Sequence, residues 1–419
     1  METKSPIPAG WRFDLLDNIA KRGSGHTPDK SKSSYWNGGI KWISLADSSQ
    51  LDNGYIYATD KEISEEGLQN SSAVLYPAET VVLSRDAGVG KSAVLATPMA
   101  VSQHFMAWQC DNRHTLHSWF LYYWLQMMKP EFERQAVGST IKTIGLPYFK
   151  KLKILAPSYT EQTKIAQILS TWDKAIATTE RLLANSQQQK QALMQQLLTG
   201  TARFPNSEGE WHEVEIGNII KEVKRPVIWD DEAQYRLLSV KRRAEGVVLR
   251  EVLAGSQILT KKMNTARAGD FLISKMQVTH GAMGLVTDEF DKHHISDSYI
   301  ATIAKDPTKL DINFFSWLGR TKAMWRLAFL SSYGVHIEKL TFNFSLFLKE
   351  KINIPTSLAE QKKIAQVLST ADTEITNLQA QLAKLKLEKK ALMQQLLTGK
   401  RRVRLDDEEE DLAPIRRVG

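Results

Sequence analysis

The stretch Arg85-Asp86-Ala87-Gly88-Val89-Gly90-Lys91-Ser92 ends like a loop that cradles a nucleotide phosphate. Such a loop also needs a glycine where Arg85 stands and a helix after its Lys-Ser pair. Residues 92–101 are apolar and include β-branched types, which predicts a strand and turn instead. A second stretch, Gly145-Leu146-Pro147-Tyr148-Phe149, has one proline and no preceding Asn or Asp, unlike the Asn/Asp-Pro-Pro-Tyr/Phe loop of amino-methyltransferases. His293 and His294 are adjacent and lack an acidic or cysteine partner at metal-ligand spacing. Neither Gly-x-Ser-x-Gly nor His-Glu-x-x-His occurs in the sequence. The single cysteine, Cys110, excludes an internal disulfide and a thiolate-clustered zinc site, and is expected to pack as a small apolar residue. The chain is therefore expected to carry no catalytic, metal or cofactor site of its own.

The bulk properties fit a binding protein. With 419 residues there is material for two or three domains, each with its own core. An apolar share of 42% beside 24% charged residues predicts folded globular structure rather than disorder. A net charge of +8 and a pI near 9.2 give a long-range pull on phosphates, which alone yields only non-specific, salt-sensitive binding. No apolar run approaches the roughly 18–20 residues that span a bilayer. Met1-Glu2-Thr3-Lys4-Ser5-Pro6 lacks the pattern of a signal peptide, so a cytoplasmic location with no membrane partner is expected.

Whatever binds must be positioned, and a repeat shows by what. "QALMQQLLTG" at 191–200 returns as "KALMQQLLTG" at 390–399. Residues 161–200 align with 360–399 without a gap, at an offset of 199, and more than half of the forty positions are identical. The period is too long for a solenoid, whose units run roughly 20–50 residues. It indicates a duplicated half: variable domain, shared helix, variable domain, shared helix.

In the second copy Ile364, Ala371, Leu378, Leu385 and Leu392 recur every seven residues, with Leu368, Ile375, Leu382, Lys389 and Leu396 between them. The first copy gives Ile165, Trp172, Thr179, Ser186 and Leu193, with Leu169, Ile176, Leu183, Lys190 and Leu197. This spacing predicts a coiled-coil seam. Neither copy holds Pro or an internal Gly, and Gly200 and Gly399 stand where each helix should stop. Forty residues at 1.5 Å each would span about 55–60 Å. Lys190 and Lys389 occupy matching seam positions, where each either fixes register or bends its stem out to solvent. The first copy's seam is weak, so it needs a partner, and an antiparallel pairing of the two copies about a pseudo-twofold is expected.

The intervening parts each open on a tryptophan segment, "GWRFDLLDNIAKR" and "GEWHEVEIGNIIKEV". β-type runs at residues 40–45, 81–84, 271–274 and 299–303 sit among Gly, Asn and Asp turns, while residues 119–128 and 314–329 look helical. The predicted fold class is α+β. Its parts are a mixed α/β domain over 1–160, a repeated helix over 161–200, a second mixed domain over 201–359, a repeated helix over 360–399, and a charged tail over 400–419.

Two variable domains alternating with repeated helices that both end "ALMQQLLTG" resemble the DNA-specificity (S) subunit of type I restriction–modification enzymes. "RGSGHTPDKSKSSYWNGGIKWISLAD" is similar to the opening of many target-recognition domains of that family, and "YRLLSVKRRAEGVV…AGDFLISKMQVTHGAMGLVT…HHISDSYIA" resembles a second type. The second domain has Lys224-Arg225-Pro226 where the first has its Gly-x-Thr-Pro element, so equivalent contacts are not assumed. The resemblance covers roughly residues 10–400 and implies a non-catalytic subunit. Each domain would read one half of a bipartite double-stranded DNA site, and the helices would set the gap and dock two methyltransferase subunits. Restriction/translocase subunits would join that core, and S-adenosylmethionine, ATP and magnesium would belong to those partners. Readers on one face of B-DNA must sit roughly one turn, about 34 Å, or a multiple of it apart.

Arg and Lys suit guanine, Asn and Gln suit adenine, and basic or hydroxyl groups hold phosphates. On that chemistry the DNA-contacting candidates in the first domain are Arg22, Ser24, His26, Thr27, Arg85, Gln103, His104 and Lys142. Those in the second are Lys224, Arg225, Lys241, Arg242, Arg243, Lys275, Gln277, His280 and His336. Arg85 and Lys275 stand out because each follows a β run, "VVLSR" and "FLISK". A coiled-coil adaptor whose two ends bind proteins would explain the helices equally well, but not the basic loops. The tail, basic and then acidic, has the charge blocks of a solvated segment.

Overall fold

The computed structural model describes residues 6–110, 115–334 and 340–405. His336 and the end of the tail lie outside the described residues. The chain forms two compact units, residues 1–180 with 380–419, and residues 181–379. Five helices carry the positioning: α1 (Ser118–Gln135), α2 (Tyr159–Leu197), α3 (Ile312–Gly319), α4 (Lys322–Leu330) and α5 (Leu358–Leu396). The stretch expected to be helical over 314–329 is two helices. The chain turns at Arg320-Thr321, and the Thr321 hydroxyl accepts from the Met324 N–H to start α4.

α2 and α5 are the repeated helices, 39 residues each, or about 58 Å at 1.5 Å per residue. Each stops as expected at its glycine, with Gly200 at φ +72° and Gly399 at φ +69°. That left-handed conformation favours glycine. A side chain there would also collide with a tryptophan-bearing segment, Trp211 at Gly200 and Pro8 with Trp11 at Gly399.

In the first unit a five-stranded sheet runs Lys21–Ser24, Phe105–Gln109, Val81–Ser84, Ser92–Leu95, Tyr55–Ile56. A four-stranded sheet runs Lys61–Ile63, Trp36–Ile43, Met99–Val101, Leu75–Tyr76. α1 is sandwiched: Phe120, Tyr123, Leu125 and Phe132 share one core with Val81, Leu83, Met106 and Trp108 of the sheet, with Ile165, Leu169 and Leu396 of the long helices, and with Leu397 just past the end of α5. The strand Arg12–Leu15 pairs antiparallel with Lys153–Ala156, which leads into α2.

The second unit repeats this plan with different contents. Trp211–Glu215 pairs antiparallel with Lys351–Pro355, which leads into α5. One sheet runs Ile220–Glu222, Tyr299–Ala304, Phe271–Ser274, Met283–Leu285; the other runs Val247–Ala254, Gln234–Val240, His294–Ser296, Met263–Thr265. Phe314, Phe315, Trp317 and Leu318 of α3 share a core with Phe271, Ile273 and Ile300 and with Leu197, Leu198, Ile364 and Leu368. In both units, then, the long helices complete the head's core.

The seam follows the heptads. Ile165, Leu169, Leu197, Ile364, Leu368, Ile375 and Leu396 are buried. Trp172, Ile176, Leu183, Leu193, Leu378, Leu382, Leu385 and Leu392 are half-buried. Even the polar Thr179 and Ser186 are buried. Within each unit the helix segments run antiparallel. In the first, Asp173 meets Lys389 and Glu180 meets Lys386; in the second, Lys190 meets Asp372 and Ser186 meets Glu374. The seam lysines therefore do not bend into solvent but each take a carboxylate.

Two further anchors recur at the offset of 199. Arg402 makes a two-pronged pair with buried Glu161, and Arg203 does so with buried Glu360. Gln162 and Gln361 are fully buried. The Gln162 carbonyl oxygen accepts from the His117 N–H that precedes α1, and its NH2 donates to the Thr115 and Pro157 carbonyls. Gln361 does the same with the Asp311 N–H that precedes α3 and with the Lys309 and Pro355 carbonyls. Buried amides with every group satisfied fix a unique geometry.

If the seam supplies the stability, Leu368→Ala, at a fully buried position, should cost about 2–5 kcal/mol. Leu387→Ala on the same helix, at a position 69% exposed, should stay within about 0.5 kcal/mol. Urea denaturation followed by circular dichroism compares the two; equal midpoints would refute the seam.

Candidate nucleic-acid interfaces

The first unit gathers Thr27, Gln103 and His104 around a cleft of about 610 Å³. Trp36 and Trp42, packed edge to face at 5.2 Å, form part of its wall, together with Lys30, Asn37 and Lys61. The Thr27 hydroxyl donates to Gln103 Oε1, and Gln103 is exposed. His104 Nδ1 lies 2.6 Å from Asp86 Oδ2, which aims the ring. His26 is exposed at the approach, held by its backbone N–H on Val101 and its carbonyl under Trp42 Nε1. Lys142 is exposed on a turn closed by the Val137–Thr143 bridge, beside exposed Val137 and Ile141.

Three candidates of this unit have structural duties. Arg22 is paired with Asp17 at 2.8 Å. Ser24 donates to the Phe105 carbonyl across the sheet. Arg85 is only 18% exposed, and its Nε donates to the Ile144 carbonyl, tying the strand end to the segment before residues 146–150. Lys91 of the glycine-rich stretch donates to the Ser48 carbonyl and hydroxyl, and Ser92 opens a strand rather than a helix. Without a helix N-terminus that stretch cannot cradle phosphate in the nucleotide-loop manner.

In the second unit the tertiary fold assembles a cationic tip. Lys241, Arg242 and Arg243 lie in the turn between Gln234–Val240 and Val247–Ala254, and all three are exposed. Arg243 and Ala244, both at φ +57°, donate their N–H groups to the His280 and Gly281 carbonyls. This lashes the turn to the segment bearing Lys275, Gln277 and His280. None of Lys241, Arg242, Arg243 or Lys275 forms an ion pair among the described residues, in contrast to Lys224, which faces Glu222 at 3.4 Å. Unneutralised cations beside an amide and an imidazole combine phosphate-holding with base-edge chemistry.

Arg225 is a different case. Its two terminal nitrogens donate to both oxygens of Asp270, a carboxylate 1% exposed. The adjacent histidines are likewise structural. His293 is buried, and His294 packs edge to face on Tyr235, where burial lowers its imidazole pKa. Among the described residues no group of three or more His, Cys, Asp or Glu could hold a metal ion, and no helix is long and apolar enough to cross a membrane.

Sequence reasoning missed Lys30, Asn37 and Lys61. Asn37, at φ +58°, opens an Asn-Gly-Gly irregularity inside the strand Trp36–Ile43, a signal in the letters, but only the fold brings it to the same cleft as His104.

Two outcomes separate scaffold from surface. Arg225→Ala strands Asp270 and should destabilise the second unit by about 3 kcal/mol, the lower end for a broken buried pair because the arginine is partly exposed, measured by urea denaturation. Replacing Lys241, Arg242 and Arg243 together by Ala should leave stability within about 0.5 kcal/mol. Duplex affinity should fall, and its log–log salt slope should shrink by roughly one for each phosphate that is no longer held. An unchanged salt slope would remove the tip from the interface.

Residues 8–185 and 209–387 each match the family model described as the type I restriction modification DNA specificity domain. Each match runs through a head and well into the long helix that follows it. The MjaIX specificity subunit of Methanocaldococcus jannaschii is 28% identical over 172 residues, which is 41% of this chain and 39% of that protein. The chain thus spans about two fifths of that relative. The putative MjaX specificity subunit of the same organism is 25% identical over 95% of both chains. Among solved structures, the type I restriction–modification S subunit of M. genitalium shares the fold, with a TM-score of 0.58 at 14% identity, over 95% of this chain and 98% of that one. Because the family model matches both heads with their helices, the chain belongs to the type I restriction–modification DNA specificity family.

Proposed function

We propose that this chain is the DNA-recognition component of a type I restriction–modification complex, without catalysis of its own. Each head reads one half of a bipartite duplex site, the first through the cleft around Gln103 and His104, the second through the tip at 241–243 and its neighbours. The long helices set the gap and dock two methyltransferase subunits, and restriction/translocase subunits join that assembly. S-adenosylmethionine, ATP and magnesium act on those partner subunits.

One observation carries this reading: two heads with different sheets and different surface chemistry are seated through the same repeat residue, Gln162 in one unit and Gln361 in the other. A protein that needs two different readers in equivalent settings has a reason to duplicate the mount and vary the reader. A helix of about 58 Å is stiff enough to impose a separation of one or more duplex turns of roughly 34 Å.

Co-expression with a cognate methyltransferase subunit, followed by methylome sequencing, is expected to reveal one bipartite motif with a fixed gap. Cells that express the methyltransferase with this chain yet show no such motif would overturn the proposal.

A further inference from the structure

Beyond the shared anchors, one pair in each unit joins the seam to the head through a partner that the repeat does not encode. Asp173 and Lys389, and Asp372 and Lys190, are equivalent positions of the repeat at the offset of 199. In the first unit, Asp173 takes Lys389 on Oδ1 and the Tyr123 hydroxyl of α1 on Oδ2, the latter at 2.7 Å. The Lys389 ammonium also lies 5.2 Å from the centre of the Tyr123 ring. In the second unit, Asp372 takes Lys190 on Oδ1 and the Arg320 guanidinium at the end of α3 on Oδ2, the latter at 2.6 Å. Arg320 lies over the Trp317 ring at 4.1 Å, and Lys190 is 5.2 Å from the same ring. Trp317 Nε1 in turn donates to Ser369, one turn before Asp372 on α5.

We propose that Asp173 and Asp372 are latches that set the angle of each head on its helix mount, and that Tyr123 and Arg320 are positioning residues for the gap between half-sites. This rests on the function proposed above. The Gln anchors fix where the start of each head helix attaches. The latch sits further along, at the buried Tyr123 in one unit and at the last turn of α3 in the other, so anchor and latch together remove the freedom to pivot. The shared apolar core presses each head on the seam, the latch adds a directional contact at a second place, and a swing at the mount becomes a displacement at the reading surface.

The two latches differ in chemistry. The first ends in a neutral phenol, whose pKa burial and then the Asp173 charge push up. The second ends in a guanidinium paired with Asp372, whose carboxyl stays below its usual range because hydrogen bonds from Lys190 and Arg320 outweigh the upward push of burial. A charge-assisted, geometrically fixed contact is the harder one to replace with a polar isostere.

The test uses the full chain assembled with its methyltransferase subunits, in the wild-type, Arg320→Gln and Tyr123→Phe forms. Methylation rates are compared on duplexes carrying the cognate half-sites at the native gap and at gaps one base pair shorter and longer. The ratio of rates between gaps cancels the phosphate contacts common to all three. Arg320→Gln should lower the preference for the native gap by about tenfold, the factor that corresponds to ~1.4 kcal/mol, with Tyr123→Phe acting in the same direction. Amides of α3 should exchange faster with solvent deuterium in Arg320→Gln than in the wild type. An equal loss at every gap, or unchanged exchange of α3, overturns the latch. A wild-type complex with no preferred gap overturns the proposed function instead, while the exchange result still decides whether Arg320 holds α3 on its mount.

Discussion

Each long helix carries an apolar stripe that it cannot hide by itself, and that constraint organises the rest. The seam of α2 holds Thr179 and Ser186, and both seams hold a lysine. Each segment becomes stable only by burying its apolar stripe against the antiparallel segment and against a head. Burial in turn forces the lysines to find carboxylates, because an unpaired ammonium in a drying seam is costly. Asp173 and Asp372 meet that demand, and their second oxygens remain available to the heads. The contact that satisfies the helix pair is thus also the contact that grips the head.

The same economy explains how heads with little sequence in common can be mounted alike. Gln162 and Gln361 bind only backbone groups outside the repeat: the N–H ahead of α1 or α3, a carbonyl two residues earlier, and the Pro157 or Pro355 carbonyl just before the long helix. Backbone partners impose no side-chain identity on the head. A head needs only a helix that starts at the right place and an apolar face to lay on the seam, which Phe120 and Tyr123 supply in one case and Phe314 and Trp317 in the other. The interiors were then free to diverge into a five- plus four-stranded arrangement and a pair of four-stranded sheets.

The polar surfaces obey a different logic. Arg225 and Arg85 carry the same charge as Arg242 and Arg243, yet the first closes over the buried Asp270 and the second ties Ile144, while the exposed tip cations form no ion pair among the described residues. A guanidinium committed to a buried carboxylate cannot leave it for a phosphate without exposing an unpaired charge inside the protein. The groups open to a phosphate are thus those without an ion pair among the described residues, not the basic residues as a class.

The letters alone determined the helix pair. Heptad spacing, the absence of Pro and internal Gly, the terminal glycines and the gap-free duplication set the element, its length and its buried face, because helical periodicity is local and an apolar stripe leaves one way to hide. They also gave several strands, such as Val81–Ser84 and Phe271–Ser274, whose unbroken apolar runs suit a doubly covered sheet. What they could not give was which arginine is structural and which forms no ion pair among the described residues, that residues 241–243 lie beside His280, or that Asn37 and His104 line one cleft. Those depend on chain segments tens of residues apart meeting through backbone hydrogen bonds and buried ion pairs, and no local pattern records the partner. The seam lysines show the divide most plainly: their position was periodic and legible, but their carboxylates lie 182 and 216 residues away, and only the tertiary fold could choose them.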